Sequence, residues 1–189
     1  MSDIFVGLIL LFFNFNLNLG ASSIGLLPSF VGAYLIWKGT RELADESETM
    51  RELDTVLKVA IGVHAVIWVC NFFGMTRGKE LELKAVDVVL QLLNLFILHQ
   101  LTGGMEDLEK LRGVDMRVEM LKRWWMGLFV FSMLNVLWFL GLRSVLCTIG
   151  WFVALLGYLV CFSDGKKAYI MSTECPGGIV QEEEEHHDP

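Results

Sequence analysis

The sequence predicts an all-α fold, a polytopic membrane helix bundle of about six transmembrane helices. Of the 189 residues, 54% are hydrophobic and only 20% are charged, and the mean hydropathy is +0.52. A soluble domain of this size needs more polar residues to cover its surface. The charged residues also cluster in short segments between long apolar stretches, which is typical of a protein that crosses the lipid bilayer several times.

Six apolar segments define the predicted helices. In chain order they are the N-terminal run from Ile4 and residues 24–39, 56–75, 85–101, 124–142 and 145–162. A helix needs about 20 residues to cross roughly 30 Å of hydrocarbon, so several of these must extend into their flanks. The N-terminal run has no positively charged residue before it. We therefore expect a retained first membrane segment, with a cleaved signal peptide as the alternative.

The octet FNFNLNLG, residues 13–20, interrupts this pattern directly after the first apolar run. Its alternation of asparagine with Phe or Leu is typical of a β-strand, but a lone strand in lipid leaves its backbone groups unpaired. We therefore expect the first helix to end near Phe13 to Phe15, followed by a polar turn or helix break. The residues assigned to this feature are Asn14, Asn16, Asn18 and Pro28. Ser22 or Ser23 would cap the next helix, with Pro28 in its first turn.

The distribution of Lys and Arg predicts the orientation. If the N-terminus is cytoplasmic, eleven of the fifteen basic residues fall on the cytoplasmic side. These are Lys38, Arg41, Arg51, Lys58, Lys110, Arg112, Arg117, Lys122, Arg123, Lys166 and Lys167. The outer side receives Arg77, Lys79, Lys84 and Arg143. Because basic residues accumulate in cytoplasmic loops, we expect a multi-pass protein of the cell (inner) membrane with both termini in the cytoplasm.

A cytoplasmic amphipathic helix is predicted between helices four and five. Apolar residues recur every three or four positions from Met105 to Trp125, which forms a helical stripe. Residues 105–123 would then either lie on the membrane as a connector or dock a membrane or cytoplasmic protein partner.

Polar residues inside the apolar segments are the candidate site residues. They are His64 and Asn71 in segment three, Asp87, Gln91 and Asn94 in segment four, and Ser132 and Asn135 in segment five. Within each segment the spacing places them on one helical face, which should point away from lipid. From the rise per residue we expect a mid-membrane layer and a second layer nearer the outer surface. The first holds His64, Asn94 and Asn135, and the second holds Asn71, Asp87 and Gln91.

Two interpretations of these polar faces remain open at the level of sequence. Asn, Gln, Ser and His commonly form hydrogen bonds that join membrane helices. The same residue types can also line an ion or solute path or relay protons. His64 is the best candidate for a titrating group.

The chain divides into a single transmembrane helical domain, residues 1–172, and a flexible acidic C-terminal tail, residues 173–189. The tail combines a Pro-Gly-Gly break with a run of acidic residues. We expect no metal site and no cofactor, because His186 and His187 lack a spacing that fixes coordination geometry. The absence of a basic stripe argues against nucleic acid. No H-E-x-x-H, G-x-S-x-G or P-loop motif is present, and nothing near Ser132 or His64 recommends them as a protease pair, so we expect no enzyme.

The segment IGLLPSFVGAYLIWKGTREL resembles a group of small, uncharacterised multi-pass membrane proteins of Gram-positive bacteria. That group carries a Leu-Leu-Pro-x-Phe-x-Gly segment near the N-terminus. The matching residues are Leu26, Leu27, Pro28, Phe30, Gly32, Leu35, Ile36 and Gly39. Ser29 stands where the group tends to have an acid, and Ala33 stands at a tyrosine position. The resemblance covers about the first forty residues and implies a bacterial inner-membrane protein without bringing a known activity.

These observations predict a small integral membrane protein in the lipid bilayer, acting as a non-enzymatic accessory, assembly or interaction subunit. The alternative is a small-solute or ion transporter or channel that uses the polar faces of helices three to five. Tight packing around His64 and Asn94 would favour the first function, and a continuous hydrated cavity there would favour the second.

Overall fold

The computed structural model describes residues 1–13, 16–19, 22–25, 28–73, 80–136 and 145–174. They form six helices and one two-stranded hairpin. The elements are α1 (Ser2–Phe12), β1 (Asn16–Leu19), β2 (Ser22–Gly25), α2 (Ser29–Glu42), α3 (Glu48–Phe72), α4 (Glu80–Arg112), α5 (Val118–Val136) and α6 (Val145–Glu174). Each helix packs against the next one in the chain, and α6 also contacts α1 and α4. The predicted helical bundle is confirmed at this level.

Three helices of the described part are long and apolar enough to cross a membrane, fewer than the six predicted. They are α3, α6 and the part of α4 from Ala85 onward. With 11 and 14 residues, α1 and α2 are only about 16 and 21 Å long. The 19 residues of α5 include Glu119, Lys122 and Arg123. Within the described residues the prediction of membrane-spanning helices is therefore confirmed for three of the six segments. An apolar stretch does not reveal how many of its residues are helical.

The strands β1 and β2 form an antiparallel hairpin after α1. The register pairs Asn16 with Gly25 and Asn18 with Ser23. The expected break between the first two helices is present. Asn16 and Asn18 lie in a strand and not in a turn, because a neighbouring strand supplies partners for the backbone groups that a lone strand leaves unpaired. The expected end of the first helix is confirmed, since α1 ends at Phe12. Asn14 lies outside the described residues.

The second helix starts directly after Pro28. Pro28 is its N-cap residue, in an extended conformation with φ −65° and ψ 123°, which suits a ring that fixes φ and has no N–H to donate. Ser22 and Ser23, the expected caps, lie in β2 instead. The first two helices then pack very closely, since a Cβ atom on Gly32 would lie 2.6 Å from the backbone nitrogen of Leu11.

The separate amphipathic helix predicted over residues 105–123 was wrong. Gly113 has φ 64°, and its N–H donates to the carbonyl of Glu109, which ends α4 in a left-handed cap. The Glu109 carboxylate then accepts hydrogen bonds from the N–H groups of Met116 and Val118, and so positions the start of α5. The hydrophobic period does not show this reversal, because Leu108 before Gly113 and Met116 after it are both buried in the core.

Charged residues gather at one end of the antiparallel bundle, which we call the charged end. There the starts of α1, α3 and α5 meet the ends of α2, α4 and α6. Ion pairs that join these elements are Lys38–Asp3, Arg112–Glu46 and Arg117–Asp164. Interior packing is concentrated in the adjoining half of the bundle. Among the described side chains, no residue of α3 beyond His64 is buried, and burial begins at Leu95 in α4 and at Ala154 in α6. The rest of the bundle is its outer half.

Candidate functional site

A serine, a histidine and an asparagine from three helices meet where the packed half of the bundle ends. The His64 residue is only 5% exposed. Its Nδ1 atom lies 3.1 Å from the Ser29 hydroxyl, and its Nε2 atom lies 3.4 Å from Oδ1 of Asn94. Because an amide oxygen only accepts, Nε2 carries a proton and donates to Asn94. In the neutral imidazole Nδ1 then accepts a hydrogen bond from Ser29.

The local fold explains why these three residues meet. Ser29 is the first residue of α2, directly after the Pro28 cap, so the start of the helix sets its position. The α3 helix runs antiparallel to both α2 and α4, which brings the middle of α3 between the start of α2 and the middle of α4. Two hydrogen bonds therefore join three helices through one imidazole ring.

The predicted mid-membrane layer is present in part. The structure brings His64 and Asn94 together, as the depth calculation expected. Asn135 lies in α5, but its side chain is outside the described part of the chain. Sequence reasoning missed Ser29 as the third member. The signal for it was the proline before it, since a serine that follows the capping proline of a short helix has a fixed place in the bundle.

The predicted outer layer does not form a bonded cluster. Asn71 and Asp87 are exposed on the bundle surface, and Gln91 is half-buried. No hydrogen bond joins these three side chains to another described residue. The expectation that all polar faces turn inward was therefore wrong for Asn71 and Asp87. Both lie in the outer half, where the described side chains of α3 and α4 are exposed or only half-buried.

Ser132 is fully buried but belongs to a different contact. It accepts a hydrogen bond of 3.1 Å from the indole N–H of Trp151 in α6. Ser132 and His64 therefore have different partners, as expected for two residues that do not form a protease pair. Ser132 thus joins α5 to α6 and takes no part in the cluster around His64.

A second buried polar contact lies deeper in the packed half. The hydroxyl groups of Thr102 and Tyr158 both donate to the carbonyl of Leu98, at 2.8 and 3.1 Å. Tyr158 is completely buried. This contact ties α6 to α4, and sequence reasoning missed it because a single tyrosine in an apolar segment gives no sign of which neighbour it faces.

The charged end is held by a compact set of polar contacts. Arg112 pairs with Glu46 at 2.9 Å and lies over the ring of Tyr169, whose hydroxyl also donates to Glu46. Nearby, hydrogen bonding to Glu106 raises the pKa of Lys122. These contacts connect the turn after α2 with the ends of α4 and α6, and with the start of α5.

The chemistry available to the described residues is limited. No group of three or more His, Cys, Asp or Glu side chains comes together there in a way that could hold a metal ion. Both ring nitrogens of His64 are already hydrogen-bonded to uncharged partners. The cluster is therefore suited to join helices. Its serine hydroxyl donates to the neutral histidine and can accept from a protonated one.

Comparison with protein-family models, with curated proteins and with solved structures finds no match to this chain.

Proposed function

We propose that this protein is a small integral membrane protein that acts as a non-enzymatic accessory, assembly or interaction subunit. The three long apolar helices associate it with a membrane. Their outward-facing apolar residues, such as Val66, Val89 and Val160, are more than half exposed on the chain surface. A surface of this kind is covered by lipid or by another membrane protein.

The observation that carries the proposal is the apolar core between His64 and the charged end. It contains fully buried side chains from three helices. They include Leu53 and Leu57 of α3, Leu101 and Met105 of α4, and Tyr158 and Phe162 of α6. A route for ions or solutes that continued from His64 toward the charged end would have to pass these side chains. Tight packing on this side of His64 favours a subunit over a conduit.

The finer topology is also part of the proposal. Because α5 lies antiparallel between α4 and α6, it crosses the membrane with them. The α1–α2 unit enters from the charged end and returns to it. The charged end holds the clustered basic residues, so it faces the cytoplasm and both termini lie on that side.

A protein partner would use the part of residues 105–123 that the chain itself leaves uncovered. Met105, Leu108 and Leu121 of this segment are buried within the bundle, but Leu111 is 60% exposed and Met120 is exposed as well. Both exposed side chains lie at the charged end, directly beside charged residues such as Lys110 and Glu119. They are therefore the surface through which we propose that a cytoplasmic or membrane partner docks.

Co-purification from native membranes tests this function. We expect a defined protein to be retained by the full-length chain after mild detergent extraction and to be lost from the variant Leu111→Glu. The variant Glu119→Gln is the matched control, since its carboxylate is exposed. If the chain purifies alone from native membranes, or if both variants retain the same protein equally, the docking surface is wrong.

The second candidate function is transport of a small solute or an ion. Its support is that Asn71 and Asp87 are exposed in the outer half of α3 and α4, and that α3 also carries His64, a residue type that can take up a proton near neutral pH. Flux into proteoliposomes distinguishes the two candidates. A transporter would show flux that the His64→Ala variant reduces, whereas an accessory subunit shows none with either protein.

A further inference from the structure

Two basic residues flank one indole ring near the charged end of the α2–α3 pair. The Arg41 guanidinium carbon lies 5.5 Å from the centre of the Trp37 ring, and Nζ of Lys58 lies 6.0 Å from it. Both distances are within the range of cation–π attraction. The indole N–H donates to Asp54 at 2.6 Å, so the ring that organises the two cations is itself held in place. We call Trp37, Arg41, Asp54 and Lys58 the tryptophan cluster.

Positive charge exceeds negative charge in the tryptophan cluster. Asp54 pairs with Lys58 at 2.6 Å and also accepts the indole hydrogen bond. Within the described part of the chain, no carboxylate lies in ion-pairing distance of Arg41. The guanidinium is exposed, and its donors remain available for an anion that approaches from outside.

An exposed apolar surface adjoins the tryptophan cluster on both helices. On α3, Val59 follows Lys58 directly, and Val63 lies one helical turn further toward the outer half; these residues are 55% and 38% exposed. On α2, Tyr34 is exposed and its ring stacks at an angle against Trp37. The surface thus changes from apolar to cationic over about one helical turn, which corresponds to the boundary between acyl chains and headgroups.

We propose that the tryptophan cluster binds the phosphodiester group of an anionic membrane phospholipid. Arg41 supplies paired N–H donors for the phosphate oxygens, and Lys58 supplies a second positive charge. The acyl chains lie along Val59, Val63 and Tyr34. We infer a lipid as the ligand because an exposed apolar surface adjoins the two basic residues. A free phosphate ion would leave that surface uncovered. The inference requires that the chain resides in a membrane but not that it has a protein partner.

Native mass spectrometry of the full-length protein in detergent tests this site, with phosphatidylglycerol and phosphatidylcholine as probes. Near an anionic surface each Lys or Arg contributes about 1 kcal/mol, equivalent to about fivefold in affinity. We expect the wild type to prefer phosphatidylglycerol by about tenfold or more and the variant Arg41→Gln/Lys58→Gln to lose most of this preference. Arg123→Gln is the matched control, because Arg123 is also exposed and has no ion pair among the described residues.

Each outcome of this experiment either supports the site or overturns it. Loss of preference in the double variant with retention in Arg123→Gln supports the site. An unchanged double variant, or an equal loss in Arg123→Gln, overturns it. Displacement of the lipid by millimolar glycerol 3-phosphate overturns the lipid as the ligand in favour of a free phosphate.

If circular dichroism shows that the double variant misfolds, the single variant Arg41→Gln decides. Arg41 has no ion pair to lose, so this substitution should still weaken the lipid preference several-fold. Retention of a protein partner in co-purification is a separate readout from lipid preference.

Discussion

At the scale of single residues, His64 is the point at which the bundle depends on polar chemistry. It joins Ser29 and Asn94 from two other helices while it is almost completely buried. An interhelical hydrogen bond in a membrane protein contributes about 0.6 kcal/mol on average and at most about 2 kcal/mol. The loss of the imidazole also opens a cavity with two unpaired polar groups, which adds to the cost.

We therefore predict that His64→Ala lowers the free energy of unfolding by roughly 2–4 kcal/mol. Asn94→Ala should cost about 0.6 kcal/mol or somewhat more. Asn71→Ala is the control, because Asn71 is exposed, and it should change stability by no more than about 0.5 kcal/mol. Unfolding in mixed micelles of rising SDS content measures all three. Equal effects of the three variants would show that the hydrogen bonds of His64 do not stabilise the bundle.

The limits of sequence reasoning at this scale follow from geometry. His64 and Asn94 could be paired from the sequence because their depths in two adjacent antiparallel helices match. Ser29 was missed because its position depends on where α2 begins, and only the preceding Pro28 signals that start. The same holds for Tyr158, whose contact with Leu98 depends on how α6 is rotated about its axis.

At the scale of elements, the packing of α1 against α2 depends on close backbone approach. A Cβ atom on Gly32 would meet backbone atoms of Leu11 and Gly7 at 2.6 and 2.8 Å. Backbone cannot move aside as the end of a flexible side chain can, so one added methyl group must separate the helices. Gly62 in α3 provides the contrast, since a Cβ there would have no described atom within 4 Å.

Gly32→Ala should accordingly destabilise the protein by about 1–3 kcal/mol through overpacking. Gly62→Ala should be neutral or stabilise it by up to about 1 kcal/mol, because alanine has the higher helix propensity. Thermal unfolding followed by circular dichroism in detergent compares the two. If Gly32→Ala is as stable as Gly62→Ala, α1 and α2 do not pack as closely as described.

Element identity was easier to predict than element boundaries. Apolar segments located the helices, because burial in a membrane requires long apolar runs. The apolar segments did not predict two features of the fold. The strand β1 depends on its pairing with β2, and the break at Gly113 is a backbone reversal with φ 64°. Hydrophobic periodicity reports neither pairing nor left-handed backbone.

At the scale of the whole molecule, contacts distant in sequence close the charged end. Glu46 contacts Arg112 of α4 and Tyr169 of α6 and is largely buried by them, with 28% of its side chain exposed.

We predict that Glu46→Gln lowers the free energy of unfolding by about 1 kcal/mol, because a charge-assisted pair becomes a neutral one. The control Glu48→Gln should have almost no effect, since its exposed pair with Arg51 contributes little. Chemical unfolding of both variants in detergent checks this, and equal effects would contradict it.

The proposed orientation of the whole molecule places the charged end on the cytoplasmic side of the membrane. Membrane-impermeant maleimide labelling tests this most directly, in a cysteine-free background that carries one substitution at a time. Asp115→Cys and Met171→Cys place a thiol at exposed positions of the charged end, and Phe73→Cys places one at the exposed outer end of α3. We predict that in intact cells only the Phe73→Cys variant is labelled, and that the other two react after the membrane is permeabilised.

Labelling of Asp115→Cys or Met171→Cys in intact cells, with Phe73→Cys protected, would contradict the proposed orientation. Labelling of all three in intact cells would contradict a bundle that crosses the membrane.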